Sequence, residues 1–304
     1  MDQIIKKDNL PVTIAVIGGG FCGILTAIHL MNYGKLKAQL YIINKGYPLV
    51  KGVAYNPHTL SLLLNVPNGK MSAFPDQPDH YVKWLKNENP HYAEENNLSS
   101  AFSTRQEYGN YLSHLWEHAI NKIDSNKTIN IVNDYADDIT KDNGLLHISL
   151  REGRILVADV AILATGNANP GIPNGITRSM LKSKYYFANP WNKSCVENIN
   201  TQGDILIIGA GLTAIDTIIG IKQRDFQDRI HTISPNGYRI KSWQEDKTPY
   251  TSAYMTEIVN ENTSLLQLLR FFNKHRKIAM SLDQSVYAIV DSFRPHTQKI
   301  WQSL

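Results

Sequence analysis

Residues 12–30 restrict the fold more than any other stretch of this chain. Val12 to Ile17 is a short apolar run of strand length, rich in β-branched residues, and it stops at Gly18-Gly19-Gly20, with Gly23 following. From Phe21 the apolar residues change period, and Ile24, Leu25, Ala27, Ile28, Leu30 and Met31 fit a helix buried on most of its surface. Strand, glycine turn and helix place a G-x-G-x-x-G pattern (Gly18, Gly20, Gly23) where a dinucleotide pyrophosphate can be held. Gly18 permits the tight turn, Gly20 lets a phosphate approach the backbone, and Gly23 lets helix and strand pack closely. The free N–H groups and positive dipole end of the helix supply the attraction. A bare strand–helix turn is the competing reading, since glycine-rich turns are common.

A second copy of the pattern carries the argument further. The run from Gly203 to Ile208 reads as a buried strand meeting G-x-G-x-x-A at Gly209, Gly211 and Ala214, with a helix expected to about Lys222. Ala at the third position suits both NAD and NADP sites. The next strand candidate, Arg229–Ser234, ends 25 residues after Gly209 without an acid. With Arg239 and Lys241 nearby, that end favours a ribose 2′-phosphate, hence NADPH over NADH. Two surface basic residues are the plainer reading. In the first unit, Ala38–Ile43 is a strand ending at Asn44, 21 residues after Gly23, where an Asp or Glu usually meets the ribose.

Bulk properties exclude several classes. The 304-residue chain is long enough for two domains. Its net charge of +4 is scattered, which argues against nucleic acid as a partner. Cys22 and Cys195 form no C-x-x-C and no disulfide framework. No apolar segment reaches membrane-spanning length and the N-terminus lacks a signal-peptide core, so the expected location is the cytoplasm, with no membrane association.

Between the fingerprints, residues 51–55 and 62–72 are rich in Gly, Pro and Asn yet carry apolar residues, the mark of either a functional loop or a structural excursion. Asp79–Leu85 and Arg105–Ile120 read as helices. Tyr108, Tyr111, Leu112, Leu115 and Ala119 form a core stripe on the second. His114-Leu115-Trp116-Glu117-His118 matches an inverted zinc-protease motif, but the surrounding chain favours no metal site. Ile129–Val132, Leu146–Leu150 and Ile155–Thr165 read as strands, the last ending Ala164-Thr165-Gly166, where small residues permit close passage of a cofactor. Residues 167–202 read as a domain crossing in which Tyr185, Tyr186, Phe187 and Trp191 seek burial. The chain from about Thr263 reads as helical.

Several segments together resemble a known family. They are Gly18–Gly23, Gly52-Val53-Ala54-Tyr55, Leu64-Asn65-Val66-Pro67, Met71–Asp76, Phe102 with Arg105 and Tyr108-Gly109, Ala164-Thr165-Gly166-Asn167, and Gly209–Asp216. In order and spacing they resemble the two-dinucleotide-binding-domain flavoproteins. Within that class they are similar to the bacterial FAD/NAD(P)-binding proteins that include FAD-dependent urate hydroxylases and aspartate N-monooxygenases.

The resemblance implies an α/β fold with two Rossmann-type units in three layers, an antiparallel β-ribbon and a helical C-terminal segment. The implied domains are an FAD unit over 1–170, a crossing over 171–202, an NAD(P) unit over 203–262 and a helical tail over 263–304. It implies that Gly18, Gly20, Phe21, Cys22, Gly23 and Asn44 hold the FAD diphosphate and ribose. Asn65, Met71, Ser72, Arg105, Thr165 and Gly166 would lie near the flavin. Gly209, Gly211, Leu212, Thr213, Ala214, Ser234 and Arg239 would hold NADPH or NADH. The implied chemistry is hydride transfer to FAD, followed by reaction with O2 and oxygenation of a small nucleophilic substrate; no other catalytic side chain is assigned.

Some residues depart from the family pattern. Asn44 replaces the usual acid, Lys51 replaces Arg, and Ser234-Pro235-Asn236 lacks a basic pair. Family members usually also continue past Ile300-Trp301-Gln302-Ser303-Leu304, with a glycine-rich segment returning over the flavin. A shortened chain therefore implies either a partner chain completing the flavin site or a non-catalytic dinucleotide-binding protein; a flavin reductase of another acceptor is the remaining alternative.

Overall fold

The computed structural model describes residues 10–56, 62–192, 195, 197–199, 202–238, 240, 250, 264–282 and 284–303. Residues 1–240 and 241–304 form two compact units. The first is built on a four-stranded parallel sheet. Its strands are β1 (Val12–Ile17), β2 (Ala38–Ile43), β3 (Lys127–Val132) and β7 (Val160–Leu163), in the order β3-β2-β1-β7. β1 is central, and its buried Val12, Ile14, Ala15 and Val16 reflect cover on both faces. Helix α1 (Phe21–Asn32) follows β1 and buries Ile24, Ala27, Ile28, Leu30 and Met31. α2 (His80–Glu88) and α3 (Arg105–Asn121) complete that layer, and Tyr81, Tyr108, Tyr111 and Leu112 are almost wholly buried in one cluster with β1 and β2.

α3 begins where Thr104 and Glu107 form a reciprocal capping box. Tyr108, Tyr111, Leu112, Leu115 and Ala119 all lie on its buried face.

The other face of the sheet is covered by a three-stranded antiparallel meander. It comprises β4 (Ala136–Asp142), β5 (Leu145–Leu150) and β6 (Ile155–Ala158), with Ile148, Leu150 and Ala158 packing on Ala15, Ile17 and Ile43. Asn143 and Gly144 both take positive φ and close the β4–β5 hairpin.

The run 155–165, read from sequence as one strand, is two. β6 belongs to the meander and β7 to the parallel sheet, and the change of sheet falls at Asp159. Its backbone N–H donates to Thr13 O (2.9 Å), while its carboxylate accepts from Thr13 N (2.9 Å). A residue with both a backbone donor and a side-chain acceptor is suited to break the ladder without losing the pairing to β1.

After the crossing segment, which holds a short helix α4 (Arg178–Leu181), a second parallel pair appears. β8 (Ile205–Ile208) and β9 (Ile230–Ile233) flank α5 (Leu212–Lys222). β8 is not the buried strand the sequence suggests: Leu206 and Ile208 are exposed, because its described hydrogen-bonded neighbour is β9 alone. In the crossing, Tyr186, Phe187 and Trp191 are half-buried, but Tyr185 is 66 % exposed, against the expectation of burial. Its ring instead lies beneath the Lys184 ammonium (5.0 Å), an arrangement that suits a solvated surface.

The second unit contains α6 (Leu265–Ser281), α7 (Val286–Phe293) and α8 (Thr297–Ser303). Ser264 and Gln267 form a capping box at the start of α6, and Tyr250, Ala279, Ala288 and Ile289 make a small core with Phe272 and Phe293. Among the described residues, no helix is long and apolar enough to cross a membrane.

Candidate functional site

The carboxyl ends of β1, β2 and β7 meet at the first glycine turn. Gly18 has φ +109°, and a Cβ there would overlap the Ala164 carbonyl; a Cβ at Gly23 would overlap the Gly18 carbonyl. The turn is thus closed against the Ala164-Thr165-Gly166 segment on one side and its own helix on the other. Gly20 differs. It is the N-cap of α1, takes an ordinary φ of −82°, and no side chain caps the helix there. A Cβ at Gly20 would meet only the Gly52 Cα, at 3.6 Å. The α1 N-terminus therefore presents its first N–H groups beside a space free of side chains, with Phe21 half-buried and Cys22 exposed on its first turn.

Asn44 stands at the end of β2, as the sequence predicts. Its amide oxygen accepts from Gly19 N (3.1 Å) and its amide nitrogen donates to Tyr47 O (3.0 Å), so the side chain fastens the glycine turn to the β2 end. Val50 N donates to Gly19 O (2.7 Å) from a buried residue at φ +74°. A β-branched residue in that region is strained, and the hydrogen bond to Gly19 together with burial of the Val50 side chain holds it there against that strain.

The loop residues are less uniform. Thr165 and Gly166 lie exposed just beyond β7, beside the Gly18 turn. Asn65 is exposed and Met71 half-buried. The Ser72 hydroxyl donates within its own turn, to Gln77 O (2.7 Å), and accepts from Phe74 N (3.1 Å). Behind this loop, Tyr111 Oη accepts from Ala73 N (3.3 Å) and hydrogen-bonds His80 Nδ1 (2.8 Å). Burial pushes the Tyr111 phenol up to about 12 and holds His80 below its ordinary value.

Sequence reasoning missed Asn68, which is buried and braces the same region, donating to Leu98 O and accepting from Ser103 N. An Asn between Pro67 and Gly69 was visible, but a turn role explains that pattern equally well.

Arg105 is the first residue of α3. Its backbone N–H donates to Leu62 O (2.7 Å), its Nε to Leu63 O (3.3 Å), and its Nη2 to Asp216 Oδ2 (3.3 Å) on α5. The guanidinium also lies 5.4 Å from the Trp191 ring centre. Its charge partly opposes the burial that raises the Tyr55 phenol. Asp216 was visible as the one acid of a mostly apolar helix, yet its partner was not.

At the second glycine turn, Gly209 has φ +119° and Gly211 caps α5 without a side-chain hydrogen bond. Leu212 is exposed, Thr213 half-buried and Ala214 buried. An open cleft of about 330 Å³ is lined by Ala210, Gly211, Ser234, Pro235, Asn236, Tyr238 and Ile240. The Ser234 hydroxyl donates to Tyr238 O (3.1 Å), shaping that wall. Arg239 and Lys241 lie outside the described residues. Among the described residues, no group of three or more His, Cys, Asp or Glu side chains could hold a metal; the His114 ring is engaged with Trp84.

Two uncapped helix starts behind glycine turns, each at the carboxyl end of a parallel strand pair, define a protein built to hold dinucleotides. A family model for FAD-NAD(P)-binding proteins matches residues 15–168, just over half of the chain, and the chain belongs to that family. The cofactors that define the family are FAD and a nicotinamide dinucleotide, and both glycine turns fit such ligands.

The chain is also similar to solved structures. The reduced form of ornithine hydroxylase from Pseudomonas aeruginosa is 14 % identical, aligned over 97 % of this chain and 71 % of its own, with a TM-score of 0.53. The bacillithiol disulfide reductase Bdr of Bacillus cereus is 16 % identical over 73 % of this chain and 58 % of its own, at 0.47. A structure of OTEMO with FAD and NADP is 16 % identical over 73 % and 38 %, at 0.48. The chain thus spans between about two-fifths and three-fifths of the length of the latter two. No curated protein matches it.

Proposed function

We propose that this chain is an FAD-dependent oxidoreductase that takes its electrons from NADPH or NADH and oxygenates a small nucleophilic substrate in the manner of a monooxygenase. The observation that carries the reading is the pairing, within one compact unit, of two glycine turns that each open onto unhindered space, one of them onto a 330 Å³ cleft. One dinucleotide site alone would suit a simple dehydrogenase or a sensor. Two sites suit a flavoprotein that is reduced from one dinucleotide and oxidised elsewhere.

On this reading the 1–170 segment holds FAD. Gly18, Gly20, Phe21, Cys22 and Gly23 receive the diphosphate, Asn44 fixes the turn beside the ribose, and Thr165, Gly166, Asn65, Met71 and Ser72 border the ring system. The 203–262 segment holds the nicotinamide dinucleotide through Gly209, Gly211, Leu212, Thr213, Ala214 and Ser234, with Arg239 at its ribose. When bound, FAD supplies the redox chemistry; the protein binds, orients and keeps out water. The ornithine hydroxylase likeness supports the fold only, and oxygenation of a small amine-like nucleophile is our extension of it. Membership in an FAD-NAD(P)-binding family is consistent with a protein that acts on a small substrate, and we place it in the cytoplasm.

Reduction of a disulfide acceptor is disfavoured. It needs a reactive dithiol, and the Cys195 thiol is buried and pushed up by that burial.

The test is reconstitution with FAD followed by anaerobic titration with NADPH and NADH, then admission of O2. Bleaching by either nucleotide and oxygen consumption on re-aeration are expected, with NADPH preferred. A protein that retains FAD yet is bleached by neither nucleotide would overturn the oxidoreductase assignment. Bleaching without oxygen uptake would leave a reductase of another acceptor.

A further inference from the structure

Arg105 joins segments that are distant in sequence and belong to both dinucleotide sites. Through its backbone and Nε it holds Leu62 and Leu63, beside the loop that borders the flavin site. Through Nη2 it reaches Asp216, one turn into the helix whose start faces the nicotinamide dinucleotide cleft. Its guanidinium packs near Trp191 in the segment that crosses between the two sites. Both charged side chains are largely shielded, at 13 % and 15 % exposure, so solvent screens the pair weakly. Each contact has a distinct direction, and a planar guanidinium can make all of them at once where an ammonium cannot.

We infer that Arg105, Asp216 and Trp191 form a clamp that sets the position of the second dinucleotide site relative to the first, making Arg105 a positioning residue and not a flavin ligand. This rests on the function proposed above. Its consequence is specific, because hydride transfer requires near-contact between the donor carbon of the nicotinamide and the acceptor atom of the flavin ring. A displacement of about 1 Å lowers such a rate by up to about a hundredfold. Loosening the clamp therefore slows reduction of bound FAD while leaving FAD retention and the glycine turns unchanged.

The test uses the full chain in three forms: wild type, D216N, and the exchanged pair R105D/D216R. The asparagine variant keeps the size of the side chain and removes its charge. Two readouts are taken: the anaerobic rate of FAD reduction by saturating NADPH, and amide hydrogen exchange of residues 186–192 and 212–222 in cofactor-free protein. D216N is expected to retain FAD, to reduce it about ten- to a hundredfold more slowly, and to exchange faster in both segments. The exchanged pair is expected to recover part of both losses.

Wild-type reduction and exchange in D216N would overturn the clamp. So would loss of FAD from D216N at an unchanged exchange pattern, which would place the ion pair in the flavin site. If D216N does not fold, the exchanged pair decides. Folding with restored exchange protection supports the clamp, and folding without it overturns the clamp. Should wild type itself fail to be reduced, the oxidoreductase reading falls, and the exchange experiment still decides the clamp.

Discussion

The glycines of the first turn look alike in sequence and differ sharply in structure. Gly18 and Gly23 face backbone carbonyls, so any side chain there collides with atoms that cannot move without opening the sheet end. Gly20 faces open space and has an ordinary φ. Gly18→Ala is therefore expected to lower thermal stability, by several degrees in Tm, with or without cofactor. Gly20→Ala, which meets no clash but gives up the N-cap preference of glycine over alanine, should lose no more than about 1 kcal/mol when free of cofactor, yet lose FAD affinity at least about tenfold, because its methyl group enters the space proposed for the diphosphate. Calorimetry of the cofactor-free proteins and FAD titration separate the two. Equal behaviour of the variants would remove Gly20 from the diphosphate site.

His80 gives a pH prediction of definite sign. Its burial beside Tyr111 holds the imidazole below its ordinary value of 6.5, so the folded state prefers the neutral ring. The stability this contributes is complete above about pH 6.5 and is lost as pH falls through the lower folded-state value. Urea midpoints measured from pH 8 to pH 5 are expected to fall more steeply for wild type than for His80→Asn. Parallel curves would show that His80 titrates as in the unfolded chain.

At the scale of elements, α3 carries two opposed signals. Thr104 and Glu107 satisfy two of its N-terminal donors, and Thr104→Ala is expected to cost about 1 kcal/mol, read from urea midpoints. Gly109, in the body of the helix, would be replaced on propensity grounds by Ala with a gain of about 1 kcal/mol. The structure reverses that sign. A Cβ there would overlap the Tyr55 carbonyl, where the 51–55 turn lies against the helix. Gly109→Ala is expected to destabilise, and a rise in Tm would show that this turn does not pack as described.

Legibility followed periodicity. β1, α1, β2 and α3 were readable because burial on one or both faces imposes a pattern that a single sequence displays; β8 and β9 were readable from their apolar, β-branched runs around a glycine turn, although Leu206, Ile208 and Ile233 are about half exposed. β4 was missed because its residues, Ala-Asp-Asp-Ile-Thr-Lys-Asp, lie mostly exposed on an edge where nothing demands apolar side chains. The Asn143-Gly144 turn was the remaining signal for that hairpin. In the candidate site, the glycine turns were legible because their chemistry is local. The commitments of Asn44, Ser72 and Arg105 were not, since each depends on which distant carbonyl or carboxylate the fold delivers.

For the whole molecule, the two compact units differ, among the described residues, in the amount of core they own, the helical unit adding only a small cluster around Ile300 to the one around Ala279 and Ile289. The first has a continuous cluster running from Val12 to Ala119, and the helical unit's core rests on Tyr250, Ala279, Ala288 and Ile289 with flanking phenylalanines. Stability within a chain follows such buried contacts. Hydrogen exchange under native conditions is expected to release α6 and α7 well before β1 and β2, and equal protection would contradict this ordering.

The meander also solves a routing problem. The chain leaves β3 at one edge of the parallel sheet and must reach β7 at the other edge, past β2 and β1. Parallel neighbours are usually connected through a helix. Here β4, β5 and β6 form the bridge, and Asp159 lands it on Thr13. The hairpin is therefore the road by which Ala164-Thr165-Gly166 arrives beside the glycine turn. Shortening it by excision would leave an intact first βαβ unit with no third wall, a chain able to begin its cradle and unable to finish it.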